Sequence, residues 1–142
     1  MTRVGFYVVS DGDAGRRPLV ACRLANKAAG RGHRVFLHCA DEAQARSLDE
    51  LLWQFRPDAF LPHALVGEAA GEAVLIGWGQ DPGDHDDLLI NLDLSPPAFF
   101  PRFHRVAEVV TRDEASLQAL RAAWQFYKER GYALEKHDLR RV

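Results

Sequence analysis

The feature that most constrains this chain is a short apolar run near its start, VGFYVV at residues 4–9, closed by polar residues on either side. A strand with one wet face alternates apolar and polar residues. A run this continuous, β-branched and aromatic describes a strand covered on both faces, as in a parallel sheet held between layers of helix. The following sequence fits that reading. SDGDAGRRP (10–18) is a turn, and from Pro18 the period changes: Val20, Leu24 and Ala28 recur every four residues with Ala21 and Ala25 beside them. Arg23, Lys27 and Arg31 repeat at the same interval on another face, and Gly30 and Gly32 end the helix.

A second strand is expected at 33–38 (HRVFLH). A second helix opens at Asp41, which forms a capping-box variant with Gln44 and is followed by the stripe Ala45, Leu48 and Leu52. Residues 53–62 (WQFRPDAFLP) read as an aromatic-rich connection. Strands are predicted at 74–78, 88–92 and 106–110, with the acidic, turn-rich loop 79–87 between the first two. Thr111 with Glu114 reads as another capping box. It opens the longest helix, about 112–130, closed by Gly131, with Leu117, Leu120, Trp124 and Tyr127 spaced three and four apart. Strands alternating with helices predict one α/β domain over residues 1–142: a Rossmann-like, mostly parallel twisted sheet with helices on both faces.

Composition narrows the function. Apolar residues make up 47% and charged residues 27%, the balance of a globular protein rather than a disordered one. The net charge of −2, from 18 basic and 20 acidic side chains, speaks against general nucleic-acid binding, which needs many cations against phosphates. Cys22 and Cys39 match neither a zinc nor a CxxC spacing and read as reduced thiols. The opening residues lack a signal-peptide core, and no run of about 18 apolar residues is present, so a cytoplasmic chain with no membrane contact is expected.

Each catalytic motif fails on inspection. The turn after the first strand offers Gly12 and Gly15 but no GxGxxG, and no GK[ST] follows. His85, Asp86 and Asp87 are adjacent in a solvated loop and cannot all face one ion. His63, beside Pro62, reads as a structural histidine. Cys22 falls on the apolar stripe, and Cys39 lacks a motif partner. No metal, cofactor or catalytic residue is called for. Two features remain open. Trp53, Phe55, Phe60 and Leu61 either fill the core or anchor a partner, since aromatics dominate interface cores. On the last helix Arg121, Trp124 and Lys128 share a face with Tyr127 adjoining. They are either a charged surface with Trp124 in the core, or a guanidinium beside an aromatic hollow suited to a peptide ending in a hydrophobic residue and a free carboxylate.

The order and spacing of VGFYVV, ACRLANKAAGRGHRVFLHCADEAQARSLDELLW, FLPHALVGE, LLINLDLSPP, FHRVAEVV and RAAWQFYKERGY make the chain resemble, nearly end to end, the chi subunits of bacterial DNA polymerase III holoenzyme. The resemblance implies a Rossmann-like fold without nucleotide chemistry and a non-catalytic adapter of the clamp loader. One surface would bind the psi subunit, carried here onto Trp53 and Phe60, with Phe55 and Leu61 beside them. Another would bind the acidic C-terminal tail of single-stranded DNA-binding protein (SSB), carried onto Val110, Arg121, Trp124 and Tyr127, with Lys128 near. DNA would be reached only through SSB, and a helicase-type partner would compete for the psi surface in some bacteria. One place departs from the pattern: Leu117 stands where some chi proteins carry a basic residue. That leaves two alternatives, weaker electrostatics or substitution by Arg112 or Lys128. The rival class is a nucleotide-dependent enzyme on the same fold, which needs a phosphate site at residues 12–15.

Overall fold

The computed structural model describes residues 2–10, 12–55, 62–68 and 72–139, and for Phe55 the backbone alone. Seven strands form one sheet in the order β3-β4-β2-β5-β6-β1-β7. They are β1 (Arg3–Val9), β2 (Val35–His38), β3 (His63–Leu65), β4 (Val74–Gly77), β5 (Leu88–Asn91), β6 (Arg105–Val110) and β7 (Ala133–Leu139). Every pairing between them is parallel. The helices are α1 (Arg17–Gly30), α2 (Glu42–Phe55) and α3 (Glu114–Glu129).

The strand order explains which helix covers which face. The crossovers β1-α1-β2 and β2-α2-β3 run toward the β3 edge, whereas β6-α3-β7 runs the opposite way, past β1. Right-handed crossovers in opposite directions put their helices on opposite faces. Accordingly α1 and α2 share one core with Val9, Val35, Leu37, Ile76, Ile90 and Val109. On the other face α3 packs over Val4, Phe6, Val8, Phe36 and Val106. The alternation along β1 is visible here: Val4, Phe6 and Val8 enter the α3 core, and Tyr7 and Val9 the other. The continuous apolar run is what a strand with two covered faces requires.

Several boundaries differ from expectation. Trp53 is not in a connection but in the last turn of α2. Phe60 and Leu61 lie outside the described residues, as does the Phe55 side chain. The edge strands β3 and β7 were not expected. β3 is only three residues long, and β7 (ALEKHDL) carries polar groups on both faces because it closes an edge. The start of α3 also moves. Asp113, not Thr111, is its N-cap and accepts from the Ser116 N–H at 3.1 Å, while the Thr111 hydroxyl donates to Asp113 at 2.5 Å. Asp113→Ala is expected to lower unfolding stability by about 1 kcal/mol in denaturant titration. The Asp41 cap is as expected: it accepts from Gln44 N–H at 2.8 Å, and Gln44 Oε1 reaches back to the Ala40 N–H at 2.7 Å.

Candidate functional site

The carboxyl ends of parallel strands are where α/β sheets place their sites, and here the turn after β1 meets the start of α1 there. A phosphate would need free backbone N–H groups in that turn. The Gly15 N–H instead donates to Asp13 Oδ1 at 2.9 Å, so a carboxylate holds the position an anion would take. Arg17 bridges two strand ends, donating from Nε to Val109 O at 3.1 Å and from Nη2 to Leu92 O at 2.6 Å. Burial lowers its pKa, with Glu108, Asp113 and Asp93 pulling it back up.

Beneath α3 lies a buried polar network that the sequence reading missed. Glu108 accepts from Tyr127 Oη at 2.7 Å and from Asn91 Nδ2 at 3.0 and 3.2 Å. His38 Nδ1 lies 3.0 Å from Asn91 Oδ1 and extends the chain. Burial pushes the Glu108 carboxyl up to about 7, against the hydrogen bonds from Tyr127 and Asn91 and the charge of Arg17, which all favour the ion. Burial, aided by the Glu108 charge, also drives the Tyr127 hydroxyl well above its usual range. The sequence signal was present: a lone glutamate inside RVAEVV needs buried partners.

This network decides the exposure of the last-helix residues. Tyr127 is 0% exposed, so as a surface contact it is corrected: it sits under α3 and ties the helix to β6. Trp124, one turn back, is half-buried, its ring centroid 5.1 Å from that of Phe6. Arg121 is exposed and makes no ion pair or hydrogen bond to a described residue, and Lys128 is likewise exposed. Val110 is buried at the end of β6 and lines a small cleft with Phe6, Leu120 and Ala123. Leu94, 46% exposed, borders the same cleft, and no periodicity or motif marks it in the sequence. The structure therefore puts Trp124 against Phe6 and Val110 in the cleft that Phe6 also lines, leaves Arg121 exposed one helical turn from Trp124, and withdraws Tyr127 beneath the helix.

The second patch is at the end of α2. Trp53 is 57% exposed, which overturns the core-filling alternative for this residue. One side of its indole meets His63, with ring centroids 4.5 Å apart. His63 is buried, and its Nε2 lies 3.3 Å from Asp49 Oδ1, the structural role expected of it. His85 was expected in a solvated loop, but its side chain is only 3% exposed: it folds under the loop against Phe36 and Arg34. Burial and the nearby Arg34 charge lower its pKa. Cys22 and Cys39 are buried, and burial pushes both thiols up to about 12, the wrong direction for a nucleophile. Among the described residues no group of three His, Cys, Asp or Glu is placed to hold a metal, and no helix is long and apolar enough to cross a membrane.

Fold and patches together define a class: a single parallel α/β domain whose distinguishing surfaces are an exposed indole on one helix and a cation beside a half-buried indole on another. The chain belongs to the DNA polymerase III chi subunit (HolC) family, whose model matches residues 1–135. It is 53% identical over 142 residues to the DNA polymerase III subunit chi of Pseudomonas aeruginosa, covering all of both chains. To that of Escherichia coli K12 it is 33% identical, over 94% of this chain and 96% of the other. Among solved structures it is similar to domain 2 of the DEAD-box helicase Mss116p bound to an RNA duplex (TM-score 0.65, 10% identity). That likeness spans 96% of this chain and 64% of the other and is one of fold alone. The protein is thus an accessory subunit of the replicative polymerase.

Proposed function

We propose that this chain is a non-catalytic cytoplasmic adapter that joins the clamp loader, through psi, to the acidic C-terminal tail of SSB. The observation that carries the reading is that Arg121, exposed and bonded to no described residue, stands one helical turn from the half-buried indole of Trp124. A guanidinium that pairs with no described residue can fork a terminal carboxylate, and the cleft lined by Val110, Leu120 and Leu94 offers apolar surface for the preceding side chain. Tyr127 contributes from below by holding α3 in place. Lys128 shares the face of Arg121 and supplies the further positive charge that Leu117 does not.

The mechanism is tethering. Individual contacts of this size are modest, but many SSB tails on one coated strand present a high local concentration, and coupling through psi then holds the replicase at its template. DNA is reached through SSB, consistent with the net charge of −2. A helicase-type partner would meet the same Trp53 surface as psi. Calorimetry with a synthetic acidic SSB tail tests the pocket. Arg121→Ala is expected to lose roughly 1.5–3 kcal/mol, about 10- to 150-fold in Kd. Equal affinity for the variant and the natural protein would remove Arg121 from the site.

A further inference from the structure

A cavity of about 220 Å³ opens at the other end of the sheet, by the amino ends of β1, β5 and β6, where α1 stops short of covering β1. Its walls are Leu24 and Ala28 of α1 and the Tyr7 ring, which stacks on His137 with centroids 4.7 Å apart. Gly5 and Ala107 form a floor with almost no side-chain bulk.

The rim is strongly basic. Arg3 and Arg105 are Cα partners on neighbouring strands, and Lys27 in the last turn of α1 and Arg31 at its C-cap complete the rim. Two carboxylates also line the cavity, but both are committed. Glu135 pairs with Arg3 at 2.5 Å and lies 3.3 Å from His137, and Asp87 holds His33 and the Arg34 N–H at 3.0 and 3.1 Å. Lys27, Arg31 and Arg105 pair with no described residue. Cations at a helix carboxyl end commonly complement its dipole. Here the Ala28 and Ala29 carbonyls near the end of α1 already accept from the N–H groups of Arg31, Gly32 and His33, and Arg105 is on a strand, where the dipole explanation does not apply. Like charges directly opposite on paired strands are destabilising. Arg3 is relieved by Glu135, whereas Arg105 has no such relief.

We infer that this cavity is a binding site for a small organic phosphate, with its phosphate on Lys27, Arg31 and Arg105 and its apolar or planar body against Leu24, Ala28 and Tyr7. Three uncommitted cations on one rim select a compact multivalent anion, and the half-apolar lining selects one with a body. The site is separate from the tail pocket at the opposite ends of the strands, so it does not rest on the adapter reading.

Amide NMR titration of the full chain with ADP tests it, with adenosine and inorganic pyrophosphate as body-only and charge-only probes. ADP is expected to shift Gly5, Tyr7, Ala28 and Ala107, and to bind at least tenfold more weakly to the K27E/R31E variant. Both positions are exposed, and the milder K27Q/R31Q pair provides the same reading should the charge reversal fail to fold. Arg121→Ala should leave ADP binding unchanged. No shifts at millimolar ADP, shifts elsewhere, or shifts indifferent to both variant pairs would overturn the site. Pyrophosphate binding as tightly as ADP would overturn the organic class.

Discussion

Trp53→Ala is expected to weaken binding of the psi-side partner by roughly 30- to 1,000-fold, the 2–4 kcal/mol of an aromatic hot spot, with little change in Tm. At 57% exposure the indole keeps a large apolar face in water in the free protein, and its removal leaves no cavity in the core. One edge rests on the His63 ring, so the side chain is held rather than loose, and less ordering is required when a partner arrives. Binding of the SSB tail should be unaffected, because Arg121 and Trp124 are on α3, on the opposite face of the sheet from α2. Pull-down with psi, calorimetry with the tail and a thermal melt, run on the same variant, separate the cases. If all three measurements fall together, the indole supports the fold and the interface assignment is lost.

The second large effect concerns pH. Glu108 is raised from its ordinary 4.5 to about 7 by burial. A carboxyl whose folded value lies above its unfolded value binds a proton more readily in the folded chain. Its contribution is therefore fully present below about pH 4.5 and is lost as pH rises through about 7, amounting to about 3 kcal/mol. Glu108→Gln preserves an acceptor for Tyr127 and Asn91 and cannot ionise. Urea unfolding at pH 5 and pH 8 should show the natural protein losing stability with rising pH and the glutamine variant losing clearly less. At pH 8 the variant should be the more stable of the two. Identical slopes would mean that Glu108 does not titrate in this range.

The resemblance and the geometry bear on function in different ways. Family membership places the chain in the replicase, while the exposures of Trp53, Arg121 and Trp124 supply the reasons these residues can meet partners. The Mss116p likeness adds only that the sheet and its helices are arranged as in that domain. The capped Gly15 N–H bears against a phosphate at residues 12–15, the site the enzyme alternative needs.

Continuous apolar runs and four-residue spacings are local properties, and they determined β1, β2, β4, β5, β6 and all three helices without reference to anything distant. The same is true of the shared face of Arg121 and Trp124, because helical geometry alone sets it. Local pattern could not reveal β7, whose mixed polarity only makes sense once its place at the sheet edge is known. Nor could it rank Trp124 against Tyr127. Both aromatics lie on one helix three residues apart, and either could face the core. The choice depends on how α3 is rotated over β6 and β1, where Tyr127 meets both the Glu108 carboxylate, 19 residues away in sequence, and the Phe6 and Phe100 rings. Exposure belongs to the packed whole, so only the tertiary structure decided which indole and which cation stand at the surface.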